Sequence, residues 1–332
     1  MPFPHALLRA GYPFAKTLGM RRSTYFPVDL AIAEDRIYVM TRLEIGGGYV
    51  RMVGMGDDDL GAIAEKGLVW PAGILLSDDG HLFISDEATN EIVVINVASG
   101  EEVRRIGEQG SAPGQLDRPS LMTWDADGNI LVAEGRNHRI QRITPDGESL
   151  ATYGSQGDGP GQFNMPWGVA VDAEGAIYVG DWRNDRVQKL SPDGEHLLTV
   201  GSSGTGEGQL NRPAGVAVDE HGDIYVADRD NNRALLFDKT GRYVERFLGD
   251  ATVGKMGRAY ILANPKVLRL REMTVLEEQK RLRRPTSVRI AGNRLYVADT
   301  GRMRVQVYEK EAYPLTEDEV MEAPGAPTLT TV

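Results

Sequence analysis

The segment Pro166–Asp181 reads Pro-Trp-Gly-Val-Ala-Val-Asp-Ala-Glu-Gly-Ala-Ile-Tyr-Val-Gly-Asp, and the segment Pro213–Asp228 reads Pro-Ala-Gly-Val-Ala-Val-Asp-Glu-His-Gly-Asp-Ile-Tyr-Val-Ala-Asp. Both contain, in the same order, a proline, a short apolar run, an Asp-x-x-Gly turn, a second apolar run and a closing aspartate. Short apolar runs separated by a glycine turn are typical of paired antiparallel β-strands. This unit recurs along the chain and decides the fold class.

Six copies of the unit are recognisable, each opened by a proline. The opening prolines are Pro27, Pro71, Pro119, Pro166, Pro213 and Pro285. Successive prolines are 44, 48, 47, 47 and 72 residues apart, so the last interval carries about 25 extra residues. A repeat of this length is typical of the four-stranded blades of a β-propeller. We therefore predict an all-β, six-bladed β-propeller of four-stranded antiparallel blades.

A complete copy contains four predicted strands, named a to d from the central channel outward. In the fourth copy they are Gly168–Val171, Ala176–Gly180, Arg186–Leu190 and His196–Gly201. The sixth copy supplies strands a, b and c at Val288–Ile290, Arg294–Ala298 and Val305–Tyr308, but no strand d. The N-terminal segment Tyr12–Gly19 resembles a strand d with its following glycine. We predict that this segment completes the sixth blade and closes the ring.

The connections between copies are glycine-rich and similar to one another. They are Gly107–Gln115, Gly154–Gln162 and Gly201–Gln209. Together with the Ala-Asp-x-x-Asn-x-Arg runs after strand b, they make the chain resemble the NHL-repeat family of six-bladed β-propellers. The resemblance covers about residues 12–308. We expect a propeller over residues 12–308, a helical insertion at 250–284 within it, and a mobile C-terminal tail at 309–332.

Composition excludes several kinds of chemistry. The chain has no cysteine, so disulfides, thiolate metal sites and cysteine nucleophiles are absent. Its net charge of −11 makes nucleic acid or an anionic membrane an unlikely general partner. No run approaches the ~20 apolar residues of a membrane-spanning helix, and no N-terminal targeting segment is visible. We expect a cytoplasmic protein; a signal peptide already removed would overturn that expectation.

An acid closes strand b and an arginine opens strand c in most copies. The acids are Asp86, Glu134, Asp181, Asp228 and Asp299, and the arginines are Arg139, Arg186, Arg233 and Arg304. A pair needed in nearly every blade is most simply structural, with the carboxylate capping the loop and the arginine pairing across it.

Strand direction places the b–c loops and the d–a connections on one face, opposite the Asp-Gly turns. We call this the loop face. Aromatic and arginine side chains gather there, around the channel mouth. The candidate ligand-binding residues are Trp70, Arg118, Trp167, Trp182, Arg183, Arg212, Arg229 and Arg284. Such a set suits a small anionic or aromatic ligand, because arginine binds carboxylate or phosphate and tryptophan stacks. Alternatively, the arginines pair with neighbouring acids and the tryptophans fill the channel.

The insertion falls on the same face. A first helix is predicted from Asp250 to about Leu262, and a second from Asn264 to about Arg283. A helical hairpin here would act as a lid, dock a partner protein, or form a charged flap over the blades.

Catalysis leaves no clear motif. Some NHL propellers are zinc-dependent amidating lyases with a histidine after the blade-opening proline, whereas this chain has Trp167 at the matching site and no histidine at the others. We therefore disfavour the zinc lyase. Gluconolactonase-like propellers bind calcium in the channel, and Asp29, Glu134 and Asn164 are weak candidates for such a site. No cofactor is predicted.

Binding of a ligand or a protein on the loop face is thus the expected function. A small-molecule hydrolase or lyase using the same face is the first alternative, with the catalytic residues unknown. RNA binding, as in some NHL domains attached to tripartite-motif proteins, is the second alternative.

Overall fold

A computed structural model describes residues 7–21, 23–264, 266–267, 269 and 275–314 of the chain. Within them, six four-stranded antiparallel sheets form the predicted β-propeller. In blade 1 the strands a to d are Pro27–Ile32, Arg36–Arg42, Gly48–Gly54 and Asp59–Ile63. In blade 2 they are Pro71–Leu76, His81–Asp86, Glu91–Asn96 and Glu102–Ile106. In blade 3 they are Pro119–Trp124, Ile130–Glu134, Arg139–Ile143 and Ser149–Tyr153. In blade 4 they are Pro166–Val171, Ile177–Asp181, Arg186–Leu190 and His196–Val200. In blade 5 they are Pro213–Val218, Ile224–Asp228, Arg233–Phe237 and Tyr243–Phe247. In blade 6 they are Ser287–Ala291, Arg294–Asp299, Arg304–Glu309 and Phe14–Leu18.

The core lies between neighbouring blades. Strand b is buried at every position in blades 3, 4 and 5, since it is covered on both faces by adjacent sheets. Tyr178 and Tyr225 are among the largest fully buried side chains, and each hydroxyl donates to the aspartate of its own a–b turn, Asp172 or Asp219, at 2.9 and 3.1 Å. The apolar side chains at alternating positions of the strands therefore make the contacts that hold one blade against the next.

The N-terminal strand closes the ring as predicted. Phe14–Leu18 pairs antiparallel with strand c of blade 6, with Phe14 opposite Tyr308 and Leu18 opposite Val305. Leu18 is completely buried. The sixth blade is thus built from both ends of the propeller segment.

A second pairing of the chain ends lies outside the ring. Leu7–Gly11 and Glu311–Pro314 form a two-stranded antiparallel ribbon, so the start of the segment assigned to a mobile tail is a strand. Lys310 donates to Asp219 at 2.6 Å and to Asp223 at 2.8 Å, and Arg9 also pairs with Asp223. These bonds attach the ribbon to the a–b hairpin of blade 5. The rest of the predicted tail, 315–332, lies outside the described residues.

The acid at the end of strand b is structural, as the sequence suggests. Asp181 is fully buried and accepts from the Asn164 backbone N–H at 2.7 Å, the Asn184 side chain at 2.8 Å and the Arg186 Nε at 2.9 Å. The Arg186 guanidinium also donates to the Gly159 carbonyl of the d–a connection at 2.8 Å. Equivalent ion pairs join Glu134 to Arg139, Asp228 to Arg233 and Asp299 to Arg304. The pair therefore fastens each glycine-rich connection to its blade.

Two short helices of the insertion lie wholly within the described residues, and their bounds differ from the predicted ones. The first is Lys255–Leu262 and begins later than predicted, since Gly254 is extended. The second predicted helix, Asn264 to Arg283, is not continuous. Residues 266–267 and 269 are helical, Val275 is extended, Leu276–Lys280 forms a helix, and Arg281 is again extended. Residues 265, 268 and 270–274 of that prediction lie outside the described residues. No helix in the described part of the chain is long and apolar enough to cross a membrane.

Candidate functional site

A repeated backbone latch sets the positions of the rim side chains. The residue before the blade-opening proline has a positive φ in five blades: Phe26, Arg118, Met165, Arg212 and Arg284. In four of them its N–H donates to a side chain in the b–c loop of the preceding blade, and that acceptor residue also has a positive φ. The acceptors are Asn90 for Arg118 at 2.9 Å, His138 for Met165 at 3.2 Å, Asp185 for Arg212 at 2.7 Å and Asn232 for Arg284 at 2.9 Å. Asparagine, aspartate and histidine tolerate this conformation better than most residues. The latch thus holds four rim backbones in place around the mouth.

Blades 4 and 5 bring two tryptophans and two arginines together, which we call the rim cluster: Trp167, Trp182, Arg212 and Arg229. The two indole rings lie 5.5 Å apart between centroids and are tilted by 55°. The Arg212 guanidinium lies 4.7 Å from the centre of Trp182, and that of Arg229 lies 6.0 Å from the centre of Trp167. These distances allow cation–π attraction, so aromatic and cationic surfaces are continuous.

Two donors in the rim cluster lack partners. The Trp182 Nε1–H and the Arg229 Nε–H are shielded from solvent and meet no acceptor among the described residues. A buried donor without a partner costs about 1–3 kcal/mol. Half of the Arg212 side chain is exposed, at 49%, and it covers Trp182.

Positive charge is in excess on this side of the mouth. Arg229 pairs with Asp230 at 2.8 Å, and Arg212 lies 3.7 Å from the same carboxylate. Arg183 and Arg284 form no ion pair with any residue that the structure describes. Burial, followed by the nearby charge of Arg284, lowers the pKa of the Arg229 guanidinium. An anion placed here would offset that repulsion.

The opposite side of the mouth is closer to charge balance. Glu87 is only 7% exposed. Its carboxylate accepts a hydrogen bond from the Arg118 guanidinium at 2.8 Å and lies 3.6 Å from the guanidinium of Arg42. The Arg42 guanidinium in turn lies 4.6 Å from the centre of Trp70. Arg118 is here paired with a neighbouring acid, as in the alternative interpretation of the arginines, and Trp70 is covered by an arginine.

The predicted candidates therefore divide into two groups. Trp167, Trp182, Arg183, Arg212 and Arg229 are linked by direct ring contacts, with Arg284 near Arg229. Arg118 and Trp70 belong to the balanced group. Sequence reasoning missed Arg42, Glu87 and Asp230. Arg42 and Glu87 each follow the residue of strand b that pairs with the blade-opening proline, as do Trp182 and Arg229, so this equivalence was available as a signal.

The channel is braced at the level of the innermost strands. Arg289 on blade 6 donates to Asp29 on blade 1, with Nε–Oδ1 at 2.9 Å, and its Nη1 reaches the Met122 carbonyl on blade 3 at 3.1 Å. Ser287 and the Ile74 N–H also donate to Asp29. Asp29 is fully buried and all its described contacts are donors, so it is already compensated within the channel.

Glu134, another of the weak calcium candidates, is bonded within its own blade. Glu134, the acid at the end of strand b in blade 3, accepts from Arg139 and Asn137, and burial raises the pKa of its carboxyl. The Asn164 N–H donates to Asp181 in blade 4. Over the described ranges, no group of three or more histidine, aspartate or glutamate side chains has a metal-binding arrangement.

The insertion lies beside blades 6 and 1. Asp57, in the c–d turn of blade 1, accepts from the Met256 N–H at 3.0 Å at the start of the first helix. Arg304 of blade 6 donates to the Gln279 and Lys280 carbonyls at 2.7 and 3.1 Å, at the end of the second helix. Those carbonyls take the place that the glycine-rich connection occupies in other blades.

Comparison with known proteins identifies related folds. A family model described as NHL repeat matches residues 163–190, 210–233 and 282–308. A catalytically inactive virginiamycin B lyase from Staphylococcus aureus, solved with quinupristin, is 15% identical with a TM-score of 0.56, over 93% of this chain and 90% of that chain. A protein of unknown function from Bacteroides thetaiotaomicron is 17% identical with a TM-score of 0.60, over 93% and 76%. A chain of the nidogen/laminin complex is 19% identical with a TM-score of 0.54, over 68% and 80%. At these identities the similarity is one of fold.

Proposed function

This chain is an NHL-repeat six-bladed β-propeller, and from that premise we propose that it binds a planar, anionic ligand at the rim cluster on its loop face. The observation that carries the proposal is the pair of buried, unpartnered donors, Trp182 Nε1–H and Arg229 Nε–H, within a group of stacked cations and indoles. Acceptor oxygens of a ligand would satisfy those donors.

The two halves of the ligand are recognised by different groups. A planar ring is accommodated against Trp167 and Trp182, whose rings stand at an angle that leaves each partly exposed. A carboxylate or phosphate is held by Arg212 and Arg229, where hydrogen bonds to charged groups contribute about 1.5–3 kcal/mol each. The uncompensated Arg284 adds attraction over a longer range.

Calorimetric binding of 1-naphthoate and 1-naphthyl phosphate tests this proposal, with neutral 1-naphthamide as the matched probe. We expect the anions to bind and the amide to bind at least tenfold more weakly. Arg212→Gln should weaken anion binding about tenfold, and Trp182→Phe should weaken it by a smaller factor because the ring is retained. Arg246→Gln, an exposed change on strand d of blade 5, is the control and should have no effect. Equal affinity for the amide and the anions would refute the proposal.

The rim variants Arg212→Gln and Trp182→Phe, with Arg246→Gln as the control, also test whether the loop face is catalytic. Turnover of 1-naphthyl acetate or of a lactone panel, lost in both rim variants and retained in Arg246→Gln, would establish a hydrolase or lyase in place of a binding protein.

Docking of a protein on the insertion is a second candidate function. It is favoured by the apolar side chains that the helices leave exposed: Leu262 at 65%, Val275 at 62% and Leu276 at 45%. Neither described helix buries a residue completely. A partner captured by the wild-type chain but lost with Leu262→Ser, and still captured by the rim variants, would support this candidate.

A further inference from the structure

Two adjoining cavities lie between the insertion and the junction of blades 6 and 1. One has a volume of about 340 Å³ and the other of about 900 Å³. Met20, Arg21 and Gly257 line both, so the cavities meet side by side under the first insertion helix. They lie apart from the rim cluster, none of whose residues lines either cavity.

The smaller cavity is cationic. Arg21, Lys280, Arg302 and Arg304 line it, and no carboxylate among the described residues does. Arg304 is paired with Asp299, and Lys280 with the exposed Glu277. Arg21 forms no ion pair with the residues that the structure describes, which leaves an excess of positive charge.

Two polar atoms in this wall lack hydrogen-bond partners. Arg302 uses Nη1 to bond the Gln279 side chain and Nη2 to bond the Glu278 carbonyl, whereas its buried Nε–H meets no described acceptor. The Thr17 hydroxyl, on a side chain only 5% exposed, is also without a described partner. Burial lowers the pKa of the Arg302 guanidinium, which a bound anion would oppose.

The larger cavity is mainly apolar and aromatic. Its wall includes Tyr25 and Leu43 from loops next to strands a and b of blade 1, Tyr49 from strand c of that blade, and Ile261 from the first insertion helix. A hydrocarbon or aryl chain is the chemical group that such a wall accommodates.

We infer that these cavities form a second ligand site, which binds an amphipathic monoanion with its acid group beside Arg302 and Thr17 and its apolar chain along Tyr25, Tyr49 and Ile261. Gly257 lines both cavities at the point where they meet. A Cβ added there would contact only Val253 Cγ1, at 3.1 Å, so the missing side chain keeps the space open.

Calorimetry with decanoate tests the inference, with acetate and decyltrimethylammonium as probes that lack the chain or reverse the charge. We expect decanoate to bind with at least tenfold higher affinity than either. Gly257→Leu should reduce decanoate affinity at least tenfold by filling the junction. It should not unfold the helix, since leucine has the higher helix propensity. Ala259→Leu adds the same side chain at an exposed position of that helix and should leave binding unchanged.

The head group is tested separately. Arg302→Gln should weaken decanoate binding by about 10- to 100-fold, as expected for loss of a charge-assisted bond. Arg258→Gln, an exposed change on the first insertion helix, should not weaken it. Arg212→Gln at the rim should also have no effect, which keeps this site distinct from the proposed function. The inference is overturned if wild-type protein does not bind decanoate, or if Gly257→Leu and Ala259→Leu bind it equally well.

Discussion

Replacing Arg233 by methionine should destabilise the propeller more than any change at its surface. The side chain is 6% exposed, and its Nε donates to the fully buried Asp228 at 2.7 Å. Its other nitrogens donate to the carbonyls of Thr205, Gly206 and Gln209 at 3.0, 2.8 and 2.8 Å. The variant therefore leaves one carboxylate and three connection carbonyls without their partner.

The expected magnitude follows from the burial of the acid. Removing one partner of a buried ion pair costs about 3–5 kcal/mol. At roughly 2–4 °C per kcal/mol for domains approaching this size, the melting temperature should fall by on the order of 10 °C. Thermal and urea unfolding, followed by far-UV circular dichroism, measure the change. Arg246→Met, exposed in the same blade, should alter stability by no more than ~0.5 kcal/mol.

The loss should also depend on pH. Burial already raises the pKa of Asp228 in the folded protein, opposed by its bonds to Asn211, Arg233 and Asn231. Without Arg233 that pKa rises further, so the folded state holds more protons than the unfolded state above the normal carboxyl pKa. Stability then falls as pH rises through this range. The deficit of Arg233→Met should be smaller at pH 5 than at pH 8, and adding Asp228→Asn should recover part of it. A pH-independent deficit, or no recovery in the double variant, would refute this account.

Three further changes test other parts of the fold. Arg289→Met removes the brace to Asp29 and should lower the free energy of unfolding by about 3 kcal/mol or more, measured by urea titration; an unchanged midpoint would contradict the brace. Gly249→Ala places a Cβ against the Leu282 backbone at a φ of +102° and should disorder the base of the insertion, seen as faster amide exchange over 250–284, whereas exchange in blade 3 should not change. Lys310→Met should release the terminal ribbon from blade 5 and expose residues 7–11 to limited proteolysis; a ribbon as resistant as wild type would show that these ion pairs do not hold it.

The repeat accounts for what the sequence predicted well. Blade number, strand order and closure by Phe14–Leu18 follow from apolar alternation and from turns that recur in register, and these features are local. The insertion is not repeated. Gly254 and Gly257 weaken the helical pattern, and both Gly254 and Val275 are extended in the structure. The helix bounds were therefore wrong there.

The sequence predicts which residues lie on the loop face, but it does not predict which of the arginines there form ion pairs. Strand direction alone places Trp167 and Arg212 on one face. Whether an arginine is compensated depends on a side chain from a neighbouring blade, as with Glu87 beside Arg118, and on distances of a few ångströms. The unpartnered Trp182 N–H has no sequence signature at all.

At a rim residue, the backbone latch therefore contributes to stability, whereas the side chain is free to bind a ligand. A positive φ at a non-glycine residue costs about 1–2 kcal/mol, and at Arg284 that conformation is held by the Asn232 side chain, which accepts the backbone N–H. The guanidinium of Arg284 takes no part in this bond. It follows that Asn232→Ala should lower stability with the arginine still present, whereas Arg284→Gln should leave stability unchanged and weaken anion binding. Repetition of the latch lets side chains at equivalent rim positions differ from blade to blade, which explains how six similar blades come to carry an uneven distribution of charge and aromatic surface around one channel mouth.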